Sequence, residues 1–157
     1  MRRIWVGCLS TLLMMTSSLL GQERGTAMLS LRQPGSPAIL VRTVHDVKDF
    51  LKSATLKNVS NTSLTGYRIG WVVVYPRGKN KVGLGLPVDV PEGIEPGQIA
   101  EVPAQGVSPV FSAEGAYAVV FFVTDVHTAM GAVWKPELEE IEQASRQMAQ
   151  SIPAPSN

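Results

Sequence analysis

Two histidines, His45 and His127, are the residues best suited to acid–base or metal chemistry. Asp125 lies two positions before His127, so in a strand the two side chains would share a face. Together with His45 they would offer three ligands at most. Zinc and copper sites draw on three or four convergent nitrogen, sulfur or oxygen donors. The single cysteine, Cys8, falls in a leader-like segment described below. No metal site is expected, and a cupredoxin-type copper centre is excluded.

Other catalytic patterns are incomplete. No Gly-x-Ser-x-Gly elbow exists. Ser108 and Ser112 lie in a proline-flanked loop with no base nearby in sequence. Gly83-Leu-Gly85 lacks the third glycine and the following helix of a phosphate loop, so it reads as a turn pair. Glu92 with Glu95, and Glu137 with Glu139 and Glu140, are conceivable acid–base pairs. A loop and a helix start leave carboxylates solvated, whereas catalytic carboxylates are buried and perturbed. The expectation is no catalytic residue and no cofactor, hence no enzyme.

Binding surfaces are the remaining possibility. Trp71 lies in the middle of an apolar strand face and reads as core, with Tyr75 on the same face. Trp134 ends a short hairpin and is a candidate binding residue. Arg68 stands between Gly66 and Gly70 and is the second. Glycines in a strand can admit a close backbone, although a solvated arginine on an exposed face explains the same residues. Asn58-Val-Ser and Asn61-Thr-Ser satisfy the glycosylation pattern but read as turn residues.

These candidates sit on strands. Residues 37–44 are apolar and β-branched, a first strand. Residues 50–56 begin a second, on which Ala54, Leu56 and Asn58 share a face. A polar turn at 58–63 leads to a long strand from Thr65. There Thr65, Tyr67, Ile69, Trp71, Val73 and Tyr75 form the inward face, and Gly66, Arg68 and Gly70 begin the outward one. A short strand spans 81–86. Residues 86–109 are proline-rich, with strand only between prolines and a turn at 94–98 before a strand at 99–102. Residues 115–127 are apolar on both faces, a central strand, and 132–134 pair back on it. At 136–150 the period changes: Leu138, Ile141 and Met148 recur at helical spacing, with Pro136 in the first turn and acidic residues after it.

The chain of 157 residues carries a formal charge of +1. Met1-Arg2-Arg3 is a basic start, and residues 4–20 are largely apolar but interrupted by Ser and Thr. Residues 1–21 read as a secretory signal peptide. An uncleaved anchor is the alternative, since the apolar stretch is close to the ~17-residue lower limit for a spanning helix. Cleavage would remove Arg2 and Arg3, leaving 12 basic against 13 acidic residues, near −1. Such a balance gives no electrostatic basis for nucleic-acid binding. Cleavage would also remove Cys8, so the core would have to stabilise the domain without disulfides.

Short strands separated by turns suggest an all-β sandwich. The run Leu56-Lys-Asn-Val-Ser-Asn before a long strand, and Ile94-Glu-Pro-Gly97 before a later one, resemble small secreted bacterial proteins with an immunoglobulin-like module. The segment Phe121-Phe-Val to Met130-Gly-Ala-Val-Trp134 is similar to the closing part of such proteins. The resemblance covers residues 38–135 and implies a fold and an address, with no catalytic residues. The resulting expectation is an all-β, immunoglobulin-like antiparallel β-sandwich with a short C-terminal amphipathic helix. It comprises a signal peptide at 1–21, a flexible segment at 22–37, the sandwich at 38–135, and a helix and tail at 136–157. The expected role is a secreted or periplasmic, non-enzymatic module for an unknown protein partner in the cell envelope, with no membrane span after cleavage. The alternative is a small hydrolase or ligand-binding protein with a loop site near His127.

Overall fold

A computed structural model of the chain describes residues 26–45, 51–107 and 116–152. The leader reading at 1–21, Ser108 and Ser112, and the tail after residue 152 lie outside the described residues. In chain order the strands are β1 (Ala27–Ser30), β2 (Ala38–Val44), β3 (Ser53–Asn58), β4 (Leu64–Val74) and β5 (Lys81–Leu84). They continue with β6 (Val88–Ile94), β7 (Ile99–Pro103), β8 (Ala118–Thr128) and β9 (Val133–Trp134), followed by helix α1 (Leu138–Gln150).

The two long apolar runs, β4 and β8, pair antiparallel at the centre of a six-stranded sheet, from Val74↔Ala118 to Leu64↔Thr128. Each has its outer edge covered by two short strands rather than one long one. On β4, β5 pairs along 70–73 and β6 along 64–67. On β8, β1 pairs parallel from Ala27↔Ala118 to Ser30↔Phe121, and β9 pairs at Val126 and His127. Between β1 and β9 the chain substitutes a side chain. The buried Gln33 amide donates to the Val123 carbonyl at 2.9 Å and accepts from the Val123 N–H at 3.0 Å. Buried backbone groups must be paired, and this amide continues the ladder where β1 ends.

A second sheet, ordered β2-β3-β7, packs over one face of the first. Period-2 alternation selects the core between them: Leu40, Ala54, Leu56, Tyr67, Ile69, Trp71, Val73, Val119, Phe121 and Val123. The opposite face of the large sheet carries Val72, Val74, Ala118, Val120 and Phe122, which pack with Ile141 and Ala149 of α1. The architecture is therefore small sheet, large sheet, helix. Two glycines make room for aromatic rings from the neighbouring strand. A Cβ at Gly70 would run into the Phe122 ring, and one at Gly83 would meet the Trp71 ring. Gly70 on β4 thus admits the chain's own Phe122.

Two polar ties join the sheets. Tyr67 on β4 donates its hydroxyl to the Pro103 carbonyl at the end of β7. Burial raises the Tyr67 phenol well above its ordinary range. Asn58, fully buried at the end of β3, donates to the Thr62 carbonyl at 2.8 Å and to the Ile94 carbonyl at 2.7 Å. Its Oδ1 accepts from the Ser60 N–H and hydroxyl. Its backbone pairs with Gly97 and Gln98 in the turn that follows β6. The Asn and the apolar-x-Pro-Gly turn, separate motifs in the sequence, are one hydrogen-bonded unit.

The fold is mostly β with two sheets, as expected, but β1–β8 is a parallel pair in a sandwich expected to be antiparallel. Part of the segment read as flexible, residues 27–30, is strand. β6 runs through Pro91, so strand is not confined to the gaps between prolines there. Edge position tolerates a proline that cannot donate to a ladder. The outward face of β4 is covered almost throughout: Gly66 is buried, Arg68 is half-buried, and α1 packs over the later half. The helix begins at Leu138 with Glu137 as N-cap, leaving Pro136 outside it and Leu138 exposed. Ser145 and Ala149 join Ile141 on the buried stripe.

Candidate functional site

The alternation of β8 breaks near its end. Val123 and Val126 both face the inter-sheet core although three residues apart. Between the pairs Arg68↔Thr124 and Gly66↔His127, β4 advances two residues and β8 three. The extra residue makes a β-bulge, with Asp125 at φ 46°, the only non-glycine at positive φ among the described residues. Asp is among the few side chains that tolerate this region. The bulge keeps Val126 in the core and brings Asp125 to the face that carries Arg68.

Asp125 is nearly buried and holds two cations. Arg68 Nη1 lies 3.1 Å from Oδ2, and Lys135 Nζ lies 2.8 Å from Oδ1. Arg68 is half-buried, and its Nε–H is buried without a protein acceptor. The outward arginine of the long strand is thus one arm of a three-residue ion cluster carrying a net positive charge. Its carboxylate sits at a strained backbone position, which persists only where the surroundings over-determine it.

Lys135 leads from this cluster to a cleft of about 350 Å³. Three segments form it: residues 31–34 after β1, residues 134–137 after β9, and Glu140, Ile141 and Ala144 on α1. The fold places them together because β1 and β9 share the same edge of β8 while α1 crosses the sheet beside them. Gln33, tied to Val123, fixes the first wall. Trp134 is half-buried, packs partly against the inter-sheet core, and lines the cleft. The two binding residues expected from sequence are therefore connected through Asp125 and Lys135. Lys135 and Gln33 carry no sequence motif. Their local trace is Thr124-Asp125, a polar pair inside an apolar run, read from the sequence only through Asp125 as a partner of His127.

The histidines do not converge. The His45 ring meets Phe121, with centroids 5.4 Å apart, on the inter-sheet side. His127 lies over Gly66 on the outward face and is exposed. Among the described residues no three His, Cys, Asp or Glu side chains are grouped to hold a metal ion. Trp71 is core, as its position on the strand face predicts. No described helix is long and apolar enough to cross a membrane. Comparison with protein-family models, curated proteins and solved structures finds no match to this chain.

Proposed function

We propose that the chain is a secreted or periplasmic, non-enzymatic binding module with an immunoglobulin-like sandwich, engaging a protein partner in the cell envelope through the cleft beside Asp125. The sandwich reading draws on two sheets that set β2-β3-β7 against β5-β4-β8, the long central strands pairing directly. The site reading rests on one observation. An ion cluster anchored on a positive-φ aspartate positions Lys135 on the rim of a cleft that also exposes an aromatic side chain. Function argued from a site is stronger than function argued from a fold.

Photo-crosslinking from single positions in the full chain, in cells that make it, tests the reading. A photoreactive residue at Trp134 or Glu140 should trap the same partner. One at Lys57, exposed on the small sheet, should not. Equal trapping from all three positions, or none from the cleft, would remove the cleft from the proposal. A chain that keeps residues 1–21 and stays in the cytoplasm of the producing cell would remove the address.

A further inference from the structure

Among the described residues the backbone of the large sheet ends unpaired at β5, the last strand in the order β1-β8-β4-β5. The Gly85 N–H donates to the Ile69 carbonyl at 2.8 Å. Hydrogen-bonded pairs alternate along an antiparallel ladder. The next pairs to exchange bonds with β4 are therefore Gly83↔Trp71 and Lys81↔Val73. Val82 and Leu84 must then turn their N–H and C=O groups to the outer edge. That edge closes at Leu86, whose N–H, next in the same direction, donates to the Gln105 carbonyl at 2.9 Å. Other edges are blunted: β2 is bulged at Val41, β6 holds Pro91, and β7 ends in Pro103. Of such devices β5 has only Lys81.

An unpaired edge is a template for one more strand, and charge selects which strand. Residues 76–87 contain Arg77, Lys79 and Lys81 and no acid. All three cations are exposed, and none has an ion-pair partner among the described residues. The Lys81 ammonium lies 5.5 Å from the centre of the Tyr75 ring, at the start of the edge. An opening of about 240 Å³ adjoins that start, lined by Asn80 and by Glu142, Gln143 and Arg146 of α1. We propose that the open edge of β5 takes an extended acidic segment of a partner protein. It pairs antiparallel with Val82 and Leu84, the more stable arrangement per residue, with its acidic residues toward Arg77, Lys79 and Lys81. A second copy's β5 has no acid to offer these cations. The edge lies on β4, across the large sheet from the cleft beside Asp125, and its reading does not depend on that cleft.

Hydrogen exchange by nuclear magnetic resonance, on the isotope-labelled full chain, tests this. The probes are acetyl-Val-Thr-Val-Thr-Glu-Asp-amide, the same peptide with Gln-Asn for Glu-Asp, and two versions of the first N-methylated at alternate positions. The acidic peptide should slow exchange at Val82 and Leu84 and leave Gly83, already bonded to β4, unchanged. The Gln-Asn peptide should bind about fivefold more weakly, the range for exposed ion pairs. One methylated peptide should bind and the other should not, because alternate N–H groups face β5. Leu84→Pro removes an outward N–H and spares the bonds to β4, so it should abolish binding. If that variant does not fold, the methylated pair reads the same bonds from the ligand side. No binding at millimolar peptide, equal binding with and without the acids, or equal behaviour of the methylated pair overturns the proposal. Slow exchange at Val82 and Leu84 in the free chain also overturns it. The edge would then be filled already, by a second copy in a dimer or by the chain's own residues in a monomer.

Discussion

Replacing Asn58 by Ala should be among the most destabilising polar changes in this protein. The side chain makes two donor bonds, to Thr62 and Ile94, and accepts two from Ser60. These losses are unequal. Ser60 is half-buried and can turn to water, and its hydroxyl, 2.8 Å from the Thr62 carbonyl, is then free to donate there. The Ile94 carbonyl loses the amide donor that reaches it across the two sheets, in a residue only 1 % exposed. Removing a donor from a carbonyl this deeply buried costs about 1–3 kcal/mol, and the remaining bonds contribute roughly 1 kcal/mol net. The expected loss is about 3 kcal/mol. With a urea m-value of about 1.5 kcal/mol/M, the unfolding midpoint falls by about 2 M at unchanged slope. Asn58→Asp keeps the acceptor but sets a carboxylate oxygen against the Ile94 carbonyl, and should lose at least as much. Equilibrium unfolding followed by Trp fluorescence and by far-ultraviolet circular dichroism measures both. An Asn58→Ala loss under about 1 kcal/mol would refute the claim that this amide ties the sheets.

Gly70→Ala should cost about 2 kcal/mol by forcing Phe122 from its place, and pairing it with Phe122→Leu should restore most of that in thermal unfolding. A neutral single substitution would contradict the ring-over-glycine packing. Asp125→Asn should lose about 1 kcal/mol, the value of a cluster with partial water access. Asp125→Ala should lose about 1 kcal/mol more, because alanine tolerates positive φ less well than asparagine. Equal losses in urea melts would show that the bulge is unstrained. Tyr67→Phe should lose about 1 kcal/mol at neutral pH with the bond to Pro103. Its folded-state pKa is raised, so the unfolded chain loses that proton first, and the Tyr67 contribution falls as pH rises above about 10. Comparing the alkaline stability of the parent with Tyr67→Phe checks the sign: the variant should show the shallower decline.

Much of the fold was legible in the residue order. The strict alternation from Tyr67 to Val73 identified the inward face of β4 without reference to any partner strand. The two-faced apolar run of β8 implied a central strand, because only a strand covered on both sides can bury both faces. The helical spacing of Ile141 and Met148 marked α1. Other elements were not legible, for reasons particular to each. β1 is four residues long, and its strand state is defined by the parallel edge of β8, roughly ninety positions away. β6 contains Pro91, which argues against strand unless that part lies at an edge. The helix start shifted by two residues because Pro136 fits a first turn as well as the approach to one.

The candidate site divides in the same way. Arg68 and Trp134 stood out because each broke a local pattern, one an arginine between glycines, the other an aromatic residue ending a hairpin. Nothing local could show that they belong to one place. Their connection runs through Asp125 and Lys135, and it depends on a bulge whose presence follows from the pairing of β8 with β4. Gln33 was also illegible, since its amide completes a ladder only because β1 stops short of Val123.

By itself the sequence determined the class of structure, the inward faces of the long strands, and the absence of a familiar catalytic motif. These are properties of nearest neighbours and of period, which side-chain chemistry writes directly into the chain. Only the tertiary structure decided which strand edges meet, where the alternation slips, and which charges become partners. Those outcomes depend on contacts between residues far apart in sequence. The ion cluster and the cleft are therefore products of the assembled sheet, and Arg68 acquires its role only when β8 brings Asp125 beside it.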